Sequence, residues 1–399
     1  MAIQNYQYVI VGAGAAGTSA VEGIRERDKN LPIIVFGAEK HLPYERPPLS
    51  KKLWFGKKKV ENIFLKSKSF FDEAGAKLLL DTRIVGIDSA NKTVFDQNGE
   101  AYRFGKLLLA TGGTPKVFSF PGGNLEEICY FRFLDDFLKV RKSAVDCKSA
   151  LVIGGGFIGS EMAAALCLNK LDVTLLFSSP YLCRRVFPQN LGKAIERLFK
   201  SRGIRVLNEE QPVSFDRVNG KIITRTKTGK IESDMVIAGI GINPDLELAR
   251  RAELATSNGI IVNEHLQTSH PDIFAAGDNA LFPYKALGQI TRIEHWDNAL
   301  TQGKHAGRNM AGAMEEFSYM PYFVSDLFEF GYEAVGEIDP QMEVTEDWVK
   351  EFETGVIFFS RDRKLRGAMM CNIWGKLEIV RDLIRRGVGP GSNLIGTIR

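Results

Sequence analysis

The chain has 399 residues, 44% of them apolar and 25% charged, which suits packed cores and is too long for one ordinary domain. Its net charge of +4 is too mild to demand a nucleic-acid partner, and no segment has the length and apolarity of a membrane span or the apolar core of a signal peptide. The five cysteines (Cys129, Cys147, Cys167, Cys183 and Cys371) are odd in number and widely spaced, with no CxxC, which argues against a disulfide framework or a zinc site, so no metal is expected.

YQYVIV at 6–11 predicts a strand. The turn G-A-G-A-A-G follows, with Gly12, Gly14 and Gly17, and opens the helical stretch TSAVEGIRERD. A second strand, PIIVF at 32–36, leads to Glu39. Gly12 permits the tight turn, Gly14 lets the backbone approach a pyrophosphate, and Gly17 lets helix and strand pack closely. The helix N-terminus offers free N–H groups to the phosphates, and Glu39 stands where an acid would accept ribose hydroxyls. PYERPPLSK at 43–51 comes next; Pro47 and Pro48 are expected to hold it extended, aiming Arg46 and Lys51. The basic run Lys57 to Lys59 reads as a solvated loop.

LLLATGGTP at 107–115 is a β-rich run ending in small residues. A second glycine turn, G-G-G-F-I-G with Gly154, Gly156 and Gly159, lies between the strand SALVI and the helix SEMAAALCLNK. Cys167 in that helix reads as a small buried apolar residue. The next strand, DVTLLF at 172–177, runs into Ser178 and Ser179, with Arg184 and Arg185 shortly after. IFAAGDNAL at 273–281 places Asp278 at a strand end, able to accept bonds from a polyol. The block RIEHWDNALTQGKHAGRNMAGA spans 292–313. Short β-rich runs (YEAVGEI, GVIFFS, LRGAMMCNI) then precede the amphipathic helix KLEIVRDLIRR and a Gly-rich tail expected to be mobile.

Two glycine turns with these landmarks resemble the flavoproteins of the pyridine nucleotide–disulfide oxidoreductase superfamily. The resemblance implies an α/β fold with two Rossmann-like dinucleotide-binding domains, glutathione reductase-like, and an α+β C-terminal domain. It places a discontinuous FAD-binding domain at 1–113 and 243–320, an NAD(P)-binding domain at 114–242, the C-terminal domain at 321–387 and a flexible tail at 388–399. PYERPPLSK lacks the cysteine pair of the disulfide branch and is similar to the ferredoxin reductase-like and apoptosis-inducing factor-like branch. The 292–313 block and the C-terminal runs favour the apoptosis-inducing factor-like members. Departures are a shorter stretch between Trp54 and Lys77, no insertion between Ile338 and Gly355, Val324 in place of a tryptophan, and Ala38 in place of a second acid beside Glu39. They count against a second aromatic nucleotide site, reduction-triggered dimerisation and a cell-death role. Lys106 and Lys116 match positions linked to DNA binding and read as solvated surface.

The resemblance implies that Gly12, Ala13, Gly14, Ala15, Ala16, Gly17, Glu39, Arg46, Lys51, Ile84, Thr111, Gly112, Arg132, Asp278, Glu294, His295 and Trp296 bind FAD. It implies that Gly155, Gly156, Phe157, Ile158, Glu161, Ser179, Arg185, Gly241, Glu294 and Glu333 bind NAD(P). Lys51, Glu161 and His295 are the catalytic candidates, with Lys51 reaching the flavin N5 edge and Glu161 paired to it. His295 is a proton-transfer candidate or a satisfied core histidine. The expected activity is an FAD-dependent NAD(P)H oxidoreductase of the apoptosis-inducing factor-like kind, passing electrons to a quinone, oxygen or a one-electron protein carrier. The alternatives are an NAD(P)H–ferredoxin or rubredoxin reductase and a redox-sensing scaffold with slow turnover. Ser179, where the family match places a glutamate, and Arg185 suggest that NADPH serves at least as well as NADH, unless both arginines are plain surface charges. A cytoplasmic monomer or homodimer is expected, with a mitochondrial location as the alternative.

Overall fold

The computed structural model describes residues 3–391 and 394–398 and divides into two compact units. One holds the chain up to residue 45, residues 60–114 and 243–321; the other holds 46–59, 115–242 and 322 onward.

In the first unit, parallel strands are ordered Ala76–Leu79, Ile33–Phe36, Gln4–Val11 and Ala101–Leu109, and Ile273–Ala275 also pairs with Ala101–Leu109. Ile10 pairs with Val35 on one side and Leu108 on the other, and all three are fully buried. The buried stretches 8–11, Ile33–Phe36 and 107–109 are apolar at every position because both faces of the sheet are covered there. The hairpin Ile84–Asp88/Thr93–Asp96 extends the sheet antiparallel from the start of Ala101–Leu109. Helix Ala15–Arg27 runs against helix Trp296–Met310, and glycine makes this closeness possible: a Cβ on Gly303 would stand 2.0 Å from the Ala16 carbonyl oxygen, and one on Gly23 1.9 Å from that of Lys304.

The second unit repeats the scheme. Its parallel sheet is ordered Arg205–Leu207, Asp172–Leu176, Ser149–Ile153, Met235–Ala238 and Ile128–Tyr130. Helix Phe157–Leu168 follows Ser149–Ile153. An antiparallel meander, Pro212–Val218, Lys221–Thr226 and Lys230–Ser233, contributes Phe215, Ile222 and Ile231 to one core with Leu151, Leu176 and Val236. The C-terminal part is a five-stranded antiparallel sheet, ordered Tyr322–Leu327, Phe330–Gly336, Lys364–Cys371, Thr354–Arg361 and Glu343–Lys350. Helix Leu377–Arg385 buries Val380, Leu383 and Ile384 against it.

One expectation is corrected. Pro47–Ser50 forms a 3-10 turn instead of an extended segment, with Leu49 N donating to Arg46 O at 3.0 Å and Lys51 N to Pro48 O at 3.1 Å. Proline at the first helical position gives up an N–H that has no intrahelical partner anyway, and its fixed φ suits the turn. Residues 46–59 and 322 onward group with the second compact unit. The tail is docked where it is described: Leu394 and Ile398 are buried, Gly396 N donates to Asp347 Oδ2 at 2.8 Å, and Leu365 N donates to Val388 O at 2.8 Å. Residues 392, 393 and 399 of that segment lie outside the described residues. Among the described residues, no helix is long and apolar enough to cross a membrane.

Candidate dinucleotide sites

Gly12 has φ +114°, and a Cβ there would lie 2.1 Å from the Ala110 carbonyl oxygen, so no other residue fits. A Cβ on Gly17 would meet Gly12 O at 1.8 Å, while Gly14 faces open space. Gly14 caps helix Ala15–Arg27 with extended backbone, and the intrahelical bonds begin at Thr18 N, which reaches Gly14 O at 2.9 Å. The amides of Ala15, Ala16 and Gly17 therefore lack an intrahelical acceptor at the positive end of a helix dipole, with only the small side chains of Ala13, Ala15 and Ala16 around them. That cradle fits a pyrophosphate. Glu39 lies just past strand Ile33–Phe36, and its carboxylate accepts the Tyr44 hydroxyl at 2.5 Å. Ile84 is a buried strand residue.

Thr111 Oγ1 donates to Asp245 O (3.0 Å) and accepts from Asn279 Nδ2 (2.9 Å), and Gly112 O accepts from Asp245 N. Asp278 follows Gly277, whose amide donates to Gln302 Oε1 at 2.9 Å. The Asp278 carbonyl accepts from Arg292 Nη1 at 2.8 Å, and the same guanidinium pairs with Glu294 at 2.7 Å. His295 caps helix Trp296–Met310. Its crowded surroundings hold the imidazole down to about 4, outweighing the opposing charge of Asp278, so the ring is neutral near pH 7. Asn298 Oδ1 and Gln302 Nε2, in the first two turns of that helix, are buried with no protein partner. Sequence reasoning missed both, and such orphaned atoms suit a site built for a polar cofactor.

The second turn has the same geometry. Gly154 has φ +128°, a Cβ there would stand 2.3 Å from Gly239 O, and one on Gly159 would stand 1.8 Å from Gly154 O. Gly156 faces open space and caps helix Phe157–Leu168. The Phe157 ring lies 5.3 Å from Phe323, and Ile158 is partly exposed. Gly155 O accepts from Cys183 N at 2.8 Å, and Gly241, at φ +97°, accepts from Lys116 N at 2.9 Å. Ser179 Oγ donates to Tyr181 O at 2.9 Å, and Arg184 and Arg185 are exposed.

Glu161 projects from the first turns of helix Phe157–Leu168 and is buried. Lys51 Nζ lies 3.0 Å from its Oε1, Ser325 Oγ donates to the same oxygen at 2.6 Å, and Ser50 Oγ donates to Oε2 at 2.5 Å. Lys51 Nζ also donates to Val324 O at 2.8 Å. The paired Lys51 and Glu161 are thus made; Ser50 and Ser325 are partners the sequence did not flag. Tyr332, fully buried beside Cys183 and Glu161, has its phenol pushed far up, chiefly by burial. Ser325 pairs with Tyr332 across the sheet and Val324 with Glu333, so Glu333 lies on the opposite sheet face from the side chains that meet Glu161. Burial raises the Glu333 carboxyl, and its Oε2 accepts from Gly375 N at 3.3 Å. Arg46 Nη1 donates to Arg132 O at 3.1 Å, and its guanidinium lies 5.0 Å over the Phe133 ring.

The structure therefore gathers the Gly12–Gly17 turn, Glu39, Ile84, Thr111, Gly112, Asp278, Glu294, His295 and Trp296 in one unit. It gathers Arg46, Lys51, Arg132, the Gly154–Gly159 turn, Glu161, Ser179, Arg185, Gly241 and Glu333 in the other. All five cysteines are free thiols; burial pushes Cys129 and Cys183 up to about 12 and raises Cys371 further. Such thiols are poor nucleophiles and poor redox relays. Lys106 is not a free cation, since it shares Asp272 with Lys92.

Residues 6–303 match the model of the family described as pyridine nucleotide-disulphide oxidoreductase. The chain is 33% identical to a rubredoxin-NAD(+) reductase of Pseudomonas putida over 83% of this chain and 86% of that one. It is 30% identical to the mitochondrial apoptosis-inducing factor 1 of Dictyostelium discoideum, over 96% of this chain and 79% of that one. Among solved structures, the covalent putidaredoxin reductase–putidaredoxin complex matches with a TM-score of 0.92 at 29% identity, covering 99% of this chain and 96% of that chain.

Proposed function

Because the chain belongs to the pyridine nucleotide-disulphide oxidoreductase family and is an FAD- and NAD(P)H-dependent oxidoreductase, we propose that it delivers electrons to a small one-electron carrier protein of the ferredoxin or rubredoxin class. One observation supports this reading over the expected apoptosis-inducing factor-like one. The reductase relatives match nearly end to end, with a ferredoxin-NAD(+) reductase component of Burkholderia cepacia covered over 95% of its length. The five free cysteines form no disulfide, which is compatible with both readings. The observation that carries the proposal is the match over most of both chains to NAD(+) reductases of rubredoxin and ferredoxin systems; the buried Lys51–Glu161 pair, clamped by Ser50, Ser325 and Val324 O, fits either reading.

When bound, FAD takes up a hydride from the nicotinamide and gives up its electrons singly to an acceptor. The protein's own part follows from the geometry. The free amides of Ala15, Ala16 and Gly17 would hold the FAD pyrophosphate, Glu39 a ribose and Asp278 the polyol chain. The Gly154–Gly159 turn would hold the nicotinamide dinucleotide. Glu161 and the Val324 carbonyl fix the Lys51 ammonium through two acceptors, so its charge is oriented before any ligand arrives, and preorganised charge stabilises charge that develops in a reaction. Breaking such a buried pair from one side typically costs about 3–5 kcal/mol. His295, neutral at working pH, would present an uncharged imidazole. Five free thiols fit a reducing compartment, such as the cytoplasm.

The test is steady-state turnover with a ferredoxin, a rubredoxin, a soluble quinone and oxygen as competing acceptors. The expected result is the highest kcat/KM with one of the two carriers. A higher value with the quinone or oxygen would reinstate the other reading, and slow turnover with all four would leave a sensor.

A further inference from the structure

The loop that follows strand Asp172–Leu176 carries two exposed cations, Arg184 and Arg185. Strand Asp172–Leu176 ends in Phe177, Ser178 and Ser179, with no acid. Ser179 Oγ turns back to Tyr181 O, and Leu182 N donates to the buried Glu196 at 3.0 Å. Cys183, in the left-handed region at φ +52°, donates its amide to Gly155 O at 2.8 Å, which ties the loop to the glycine turn. Val186 N and Phe187 N then both return to Cys183 O, at 2.8 and 2.9 Å. Leu182, Cys183 and Phe187 are buried, so Arg184 and Arg185 are the exposed members of an otherwise fixed turn. Neither has a carboxylate partner among the described residues.

The neighbouring acids do not neutralise them. Glu210 is taken by the Thr228 hydroxyl and the amides of Gln211 and Lys227. Glu196 is taken by the Leu182 amide. Glu209, whose own amide donates to Ser179 O at 3.2 Å, is the one exposed acid beside the strand end. In a dinucleotide fold this strand end faces the adenosine ribose, and an acid there selects a 2′-hydroxyl while an arginine accommodates a 2′-phosphate. Two adjacent guanidiniums on a rigid turn repel each other until an anion joins them, and each can bind a phosphate through two charge-assisted bonds.

We propose that residues 178–185 form a subsite for the adenosine 2′-phosphate, so that NADPH is used at least as well as NADH. This rests on the Gly154 unit being the nicotinamide dinucleotide site. Calorimetry of the FAD-loaded protein with 2′,5′-ADP and 5′-AMP reads the subsite directly, and anaerobic flavin reduction by both donors reads its consequence. The expected result is tighter binding of 2′,5′-ADP, lost by about tenfold in Arg184→Ala and Arg185→Ala while 5′-AMP binding changes by less than about threefold. Ser179→Glu should reverse the preference. An NADH preference of about tenfold or more overturns the proposal, as does equal weakening of both nucleotides in the arginine variants. An NADH preference that Glu209→Gln abolishes also overturns it, and assigns the ribose contact to Glu209. Failure of both donors to reduce the flavin would instead sink the site assignment beneath the proposal.

Discussion

Gly12 and Gly154 stand in the same backbone geometry, at φ +114° and +128°, each with a carbonyl oxygen just over 2 Å from where a Cβ would sit. Gly14 and Gly156 both face open space at the cap of a helix, and Gly17 and Gly159 both let a helix close on its turn. The two units part company at their side chains. The first ends its second strand in Glu39, held by the Tyr44 hydroxyl; the second ends in two serines and a turn bearing two arginines. The helix of the first unit is packed closely against a neighbour where Gly23 and Gly303 meet the Lys304 and Ala16 carbonyls, while that of the second carries a buried carboxylate with three side-chain donors. The machinery for a pyrophosphate is duplicated; the machinery that reads a ribose or orients charge is not.

The largest expected effect comes from breaking the shared geometry. Gly12→Ala and Gly154→Ala each force a Cβ into a carbonyl oxygen and a side chain into positive φ, together costing roughly 3 kcal/mol or more locally. Gly12→Ala should yield colourless protein, whereas Gly154→Ala should keep FAD and lose its response to nicotinamide donors. Flavin absorbance per protein and a donor titration check both, and FAD loss in Gly154→Ala alone would reverse the assignment of the two units.

Next is the feature peculiar to the second unit. Lys51→Ala and Glu161→Ala should each destabilise the fold by about 3–5 kcal/mol and slow flavin reduction. The double variant should recover part of this, with a coupling of about 0.5–3 kcal/mol. Denaturant melts and reduction rates on the four proteins give the cycle; additive losses would mean that the pair does not act as one.

Smaller effects should follow from the thiols. Changing all five cysteines to serine should leave flavin reduction intact, while each hydroxyl buried at Cys129, Cys183 and Cys371 costs roughly 1–3 kcal/mol. Loss of reduction in a folded, FAD-loaded variant would reveal a thiol relay.

The smallest at neutral pH is a titration effect, which appears only in acid. His295 titrates at about 4 in the fold and near 6.5 once unfolded, so between these values the unfolded chain binds the extra proton. The fold keeps its full stability above about pH 6.5 and loses this share as pH falls towards 4. His295→Gln should flatten that part of the stability profile, and an unchanged acid limb would show that the ring is not held neutral.

The parts legible in the sequence are those set by local backbone constraint. Gly12, Gly14, Gly17 and their counterparts at 154–159 are fixed by φ and close approach, so three letters in register carry the turn. The strands feeding them show as unbroken apolar runs because both sheet faces are covered. What escaped notice depends on distant partners. Ser50 and Ser325 meet Glu161 across 111 and 164 residues of chain, a proximity no local pattern encodes. Glu333 falls on the sheet face opposite the Ser325 side chain that meets Glu161, visible only once its pairing with Val324 is known. The prolines were misread because a fixed φ serves a 3-10 turn as well as an extended strand. The apoptosis-inducing factor-like reading shared its motifs with the reductases, since those motifs describe nucleotide binding and are silent about the acceptor.

The most direct measurement of the central claim is double-mixing stopped flow under anaerobic conditions. The flavin is first reduced by NADPH or NADH and then mixed with an oxidised ferredoxin or rubredoxin at several concentrations. The account predicts a flavin reoxidation rate that rises with carrier concentration and persists in the cysteine-free protein. A reduced flavin–nicotinamide complex that survives saturating carrier, with a long-lived charge-transfer band, would contradict it.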